Sequence, residues 1–240
     1  MSRQFIADAS FWELFPDAEI GLLTIKGLDN SGNIDEAKLK EIEELLQGAN
    51  KEAVKYLTDD TVSQCPVVAC WRSAYQKFKK KKDARCAIEA LLKRVKNGNE
   101  VGTINPLVDI YNAMSLTYGL PCGAEDLETI KGDLVLKITE GGDPFMALGD
   151  EEDNPTLPGE LAYIDDEGAV CRCFNWRDGQ RTMLTEQTTD TFMVYESVDP
   201  TRHDDLVKAV DDLAELVTKY LGGEVCTKTI LTKDAPNVEI

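Results

Sequence analysis

The stretch "INPLVDIYNAMSLTYGLPCGAED", residues 104–126, decides how this chain is read. Pro106 suits the first turn of a helix and Gly119 suits its stop, so a helix is predicted from Pro106 to about Gly119. A tight Pro/Gly turn is expected to follow it. Asp109, Asn112 and Ser115 fall on or near the apolar stripe of this helix. Polar groups at such positions either bond backbone inside the fold or line a pocket. Asn112 and Ser115 fit both readings. Asp109 reads as structural, bonding backbone near Asn105.

Upstream, "AEIGLLTIKGL" (18–28) reads as a strand. The next segment carries Leu39, Ile42, Leu45 and Leu46 at helical spacing, with Asp35 as its cap. After Pro66, Val67, Cys70, Trp71 and Ala74 share a helical face, and Ile88, Leu91, Leu92 and Val95 repeat the pattern up to Gly98. Downstream the texture changes. "DLVLKI", "GELAYIDD", "AVCRCFNW" and "TFMVYES" are short β-rich runs between Gly, Pro and Asp clusters, followed by a helix over "LVKAVDDLAELVTKYLGG" and a strand "EVCTKTILT". Helices on both sides of a strand-rich middle predict a layered α+β domain forming one unit over 1–240.

Composition narrows the chemistry. No apolar run approaches the roughly 18 residues a membrane helix needs, and no secretory h-region opens the chain, so a cytoplasmic protein is expected. The seven cysteines lack a CxxC pair and read as reduced core thiols. His203 is the sole histidine, which excludes a histidine-rich metal site and leaves little room for a serine triad. No metal or cofactor is expected. The net charge of −18 argues against nucleic acid, but residues 72–96 hold ten Lys/Arg against Asp83 and Glu89. That run is either a solvated face or the place where a phosphate backbone docks.

Several ordered blocks resemble one family. "NPLVDIYNAMSLTYGLP", "GDLVLKI", "PGELAYIDDEGAVCRCFNWRDGQRTMLTEQTTD" and "FMVYESVDP" are similar to the B3/B4 domain, the editing domain of the phenylalanyl-tRNA synthetase β-subunit, which also occurs as freestanding proteins. The resemblance runs from about Cys65 to Pro200, with 1–64 and 201–240 as extensions. It implies an unusual mixed β-sandwich wrapped by helices, and hydrolysis of the ester on a mischarged tRNA. One substrate type of freestanding relatives is arginine tRNA carrying canavanine. Asn112 matches an asparagine of the synthetase pocket, and Glu196 matches the glutamate that reads the tyrosine hydroxyl. Where that pocket has a histidine this chain has Gly123, and where it has a phenylalanine it has Glu125. A larger and more negative pocket follows, ill suited to tyrosine.

The resemblance thus implies a trans-editing aminoacyl-tRNA deacylase with aminoacyl-tRNA as its partner. Asn112 and Glu196 are the expected catalytic residues; Tyr111, Ser115, Gly123, Glu125, Trp176 and Arg177 are the expected substrate contacts. Two carboxylates facing one cavity favour a cationic or hydroxyl-bearing side chain. Trp176 either stacks on the terminal adenine or belongs to the core. Arg177 and Arg181 either take a phosphate or pair with surface acids. Lys79, Lys80, Lys81 and Lys82 are the expected tRNA-docking cations. Cys122 is a possible nucleophile by position, although nothing nearby would lower its pKa. The alternative is a module that binds an amino acid or tRNA without chemistry.

Overall fold

A computed structural model describes residues 3–240. Six helices flank two sheets: α1 (Ala9–Leu14), α2 (Glu36–Glu52), α3 (Pro66–Ala74), α4 (Ala87–Lys96), α5 (Pro106–Tyr118) and α6 (His203–Leu221). The strands are β1 (Gln4–Ala7), β2 (Glu19–Lys26), β3 (Cys122–Asp126), β4 (Leu134–Ile138), β5 (Leu161–Asp165), β6 (Gly168–Arg172), β7 (Arg177–Asp178), β8 (Thr191–Ser197), β9 (Glu224–Leu231) and β10 (Asn237–Glu239). One sheet runs β10-β1-β4-β5-β6-β7, with β1 and β4 parallel and its other pairs antiparallel. The second runs β3-β8-β2-β9 and is antiparallel throughout. The expected α+β class with a mixed β-sandwich is the architecture found.

Helix ends follow local chemistry. The Asp35 carboxylate accepts from the Ala37 N–H at 2.8 Å, and the Asn105 side chain accepts from Val108 at the start of α5; such caps contribute about 1 kcal/mol each. Gly119 closes α5 in the left-handed conformation, with φ of 59°, that glycine reaches without a Cβ penalty. Asp109 accepts from the Ile104 N–H at 2.7 Å, so its carboxylate ties down the chain entering the helix. Ser115 donates from Oγ to the Leu120 carbonyl at 2.5 Å and fixes the exit.

The Pro/Gly turn expected after the helix is short and ends by Pro121. From Cys122 the chain is the edge strand β3, paired with β8 along its whole length. Cross-strand pairing to "TFMVYES" prevails over the local Pro/Gly signal. The helix after Pro66 also stops early, at Ala74, which leaves Lys79–Lys82 in the loop before α4.

The sheets meet through aromatic side chains: the Phe5 ring of β1 lies 5.5 Å from Phe192 of β8 and 6.1 Å from Tyr163 of β5. A second aromatic group gathers Phe11, Phe15, Trp71 and Phe78 around Phe174. Helix α6 packs across the β3-β8-β2-β9 sheet at Gly21, where an added Cβ would stand 2.5 Å from Val210 Cγ2. Among the described residues no helix is long and apolar enough to cross a membrane.

Candidate functional site

Strand periodicity builds a cavity between the two sheets. On β8, Phe192, Val194 and Glu196 alternate onto one face, and their partners on β3, Glu125 and Gly123, point the same way. From the other sheet, Tyr163, Cys171 and Asp178 form a row of directly paired positions across β5, β6 and β7. These side chains line one hollow together with Ala87, Asn175 and Trp176, and about 60 Å³ of it is open to the centres of water molecules. Gly123 adds room: a Cβ there would meet only Val194 Cγ1, at 3.8 Å.

Three carboxyl groups share this hollow, and none of its lining residues is Lys, Arg or His. Burial pushes the Glu125 carboxyl well above its ordinary range, and Asp178 raises it further; its Oε2 is buried without a hydrogen-bond partner. Burial also raises Asp178. Glu196 is raised to about 7, chiefly by burial, although hydrogen bonds from Tyr163 and Asn175 act in the opposite sense. The Tyr163 hydroxyl donates to Glu196 Oε1 at 2.5 Å and Asn175 Nδ2 donates to Oε2 at 3.2 Å. Asn175 Oδ1 in turn accepts from the Tyr75 hydroxyl at 2.9 Å. Glu196 is thereby fixed in place, while Glu125 has capacity to spare.

A backbone feature aims Asn175 and Trp176 into the hollow. Cys173 and Phe174 adopt φ values of 49° and 67°, left-handed for two successive non-glycine residues. Such conformations cost on the order of 1–3 kcal/mol each and persist where the surroundings over-determine them. Here the Cys173 N–H donates to Glu160 Oε1 at 3.0 Å, the Phe174 N–H donates to the Leu161 carbonyl at 2.7 Å, and the Phe174 ring sits in its aromatic nest. Glu160 is held by a buried fork from Arg172, at 2.8 Å from Nε and 2.5 Å from Nη2.

Of the expected site residues, Gly123, Glu125, Trp176 and Glu196 line the cavity. Tyr111 is half-buried and does not; desolvation raises its hydroxyl well above the ordinary range, and Asp178, Cys122 and Glu125 raise it further. Asn112 is half-buried, does not line the cavity and has no side-chain hydrogen bond among the described residues. Ser115 also stays off the wall, because its hydroxyl is spent on the Leu120 carbonyl. Arg177 is exposed, stacks over Trp176 at 5.6 Å and reaches Asp150 at 3.3 Å. Arg181 forks onto Asp165 at 2.6 and 2.8 Å, which commits its guanidinium to the sheet rather than leaving it free for a phosphate. Lys79 and Lys82 are exposed, and Lys81 bonds Asn154 Oδ1 at 2.8 Å. Cys122 lines the cavity, but burial drives its thiol well above the ordinary range, the wrong direction for a nucleophile. Among the described residues no group of three or more His, Cys, Asp or Glu is placed to hold a metal ion.

Sequence reasoning missed Asp178, Tyr163 and the anchoring part played by Asn175. Asp178 stands in "RDG", which reads as an ordinary surface turn. Tyr163 could have been found from the alternation of "ELAYIDD" once the inner face was known.

The profile of the B3/4 domain family matches residues 69–222. Phenylalanine–tRNA ligase β subunits are similar over shorter stretches. The subunit from Ruegeria pomeroyi is 34% identical over 90 residues, 38% of this chain and 11% of the relative. Those from Porphyromonas gingivalis and Methylococcus capsulatus are 34% identical over 99 residues and 27% over 111, covering 41% and 46% of this chain and 12% and 14% of the relatives. The chain therefore spans only about a tenth of the length of the curated relatives it matches. Among solved structures, an N-terminal fragment of the phenylalanyl-tRNA synthetase β-subunit from Pyrococcus horikoshii is similar at 14% identity and a TM-score of 0.49, covering 98% of this chain and 53% of the fragment.

Proposed function

The chain belongs to the B3/4 domain family, and on that premise we propose that it is an aminoacyl-tRNA deacylase acting in trans, with a pocket for a cationic, arginine-like side chain. One observation carries the choice of substrate: Glu125, Asp178 and Glu196 face a single hollow that contains no basic residue. Burial raises all three carboxyl groups above their ordinary range, so each charged form is disfavoured there without a countercharge. A guanidinium supplies the missing countercharge, whereas a neutral isostere leaves buried carboxyl groups without partners and binds poorly. Glu125, with its unpartnered oxygen, and Asp178 read the side chain.

Glu196 acts at the ester. A carboxyl group that titrates near neutrality suits general-base catalysis, and Tyr163 and Asn175 hold it in one orientation. Water attacks the carbonyl carbon and passes its proton to Glu196. The bond from that carbon to the ribose oxygen breaks, and the oxygen leaves with the proton. Asn112, whose amide has no hydrogen-bond partner among the described residues, contacts the aminoacyl group at the edge of the cavity, next to Tyr111. Trp176, backed by Arg177, offers a face for the terminal adenine. Lys79, Lys80, Lys81 and Lys82 meet phosphates.

Purified protein incubated with a panel of aminoacyl-tRNAs tests this. Tenfold or faster release of a cationic arginine analogue over its uncharged counterpart is expected. Asn112→Ala should lower kcat/KM at least tenfold with an unchanged melting temperature, because no internal bond is lost. Saturable binding without ester loss would instead make the protein a non-catalytic module.

A further inference from the structure

A second concave surface lies along α4. Arg85, Lys93 and Arg94 line an open groove with the turn Asn97-Gly98-Asn99, and Glu100 is its one acidic member. The groove offers about 740 Å³, open to solvent. Behind it, Lys93 and Arg72 share the single buried carboxylate of Glu89, so positive charge remains in excess there. In a chain of net charge −18 such a surplus on a concave face is a local exception. Lys93 is committed to Glu89, but the two arginines are only lightly engaged. Arg94 donates to the Glu100 carbonyl at 3.1 Å and Arg85 to the Asp83 carbonyl at 3.3 Å, which leaves most of each guanidinium fork free.

The groove and the cavity are joined by one rigid element. Ala87, the first residue of α4, lines the cavity and donates its N–H to the Asn175 carbonyl at 3.2 Å. Helical rise places Lys93 and Arg94 about 10 Å further along. A strand stacked as in a duplex advances about 3.4 Å per nucleotide, so this distance is about three stacked nucleotides, and fewer where the strand is extended.

We propose that the α4 groove binds the backbone phosphates of an RNA strand a few nucleotides back from the end that enters the cavity. The proposal rests on the deacylase reading for the identity of that end, but the groove can be tested without any ester chemistry. The experiment is binding of deacylated mixed tRNA, followed by fluorescence anisotropy across a salt series. Arg85→Ala combined with Arg94→Ala should weaken binding about tenfold. It should also reduce the slope of log K against log salt by about 1.4, the loss of two single-strand phosphate contacts at about 0.7 each. Lysine at both positions should restore most of the affinity. Lys228→Ala combined with Lys233→Ala removes the same charge from β9 and the turn after it, and should change binding less than twofold. Equal losses in the two double variants, or an unchanged slope in the first, would overturn the proposal. If the double variant melts early, Arg85→Ala alone gives the same reading at half the slope change. A protein that cleaves no aminoacyl-tRNA yet loses RNA binding here would sink the deacylase reading and keep the groove. Cleavage with an unaffected groove would do the reverse.

Discussion

Glu196 concentrates the behaviour of the site in one side chain. Its ordinary value is 4.5 and in the fold it is raised to about 7. Between these two values the native state holds a proton that the unfolded chain has released. Stability from this group is therefore present at low pH and is lost as pH rises through about 7. Glu196→Gln removes the term. The melting temperature of the wild-type protein relative to the variant should fall between about pH 5 and pH 8, as read by calorimetry, and the reverse trend would refute the assignment. Under the proposed general-base role of Glu196 the same ionisation gives kcat/KM a limb that rises through about pH 7 and is missing in the variant. Glu125 and Glu196 were legible in the sequence because the resemblance points to their positions. Asp178 was not, because burial of an acid in a Gly turn depends on which strand pairs beside it. Asn112 shows the opposite limit: its residue type was legible, its orientation off the cavity wall was not.

Among the elements, the end of β6 bears the greatest conformational burden. The left-handed pair Cys173–Phe174 is held by Glu160, which is itself held by Arg172 with both side chains almost fully buried. Removing one partner leaves a buried charge without compensation. Glu160→Gln should destabilise the protein by about 3–5 kcal/mol in urea unfolding, a far larger loss than an exposed ion pair gives. A loss below about 1 kcal/mol would mean that the aromatic nest around Phe174 alone fixes this turn. The helices α2 to α6 were readable from spacing, Pro starts and Gly stops, since those signals act within one or two turns. Strand β3 was not readable, because its identity comes from β8, some seventy residues away. The two-residue strand β7 and the terminal strands β1 and β10 are too short to carry a period of their own.

The sheets draw the whole chain together. β2 lies between β8 and β9, and β1 between β4 and β10, so segments outside the matched region 69–222 occupy interior positions in both sheets. On this basis we propose that residues 3–240 fold as one unit. A protein lacking residues 1–64 should show no cooperative thermal transition in near-ultraviolet circular dichroism; a sharp transition would mean that the remainder is autonomous. The layered class was visible from the alternation of helical and β-rich stretches, but the partnership of the outermost strands was not, since contacts between distant ends leave no local trace. That partnership has a further result. Gln4 faces Glu239 in antiparallel register, so the first and last of the described strands run side by side. A folded unit in which residues 4 and 239 lie side by side can be carried in a surface loop of a larger host without prising that host apart.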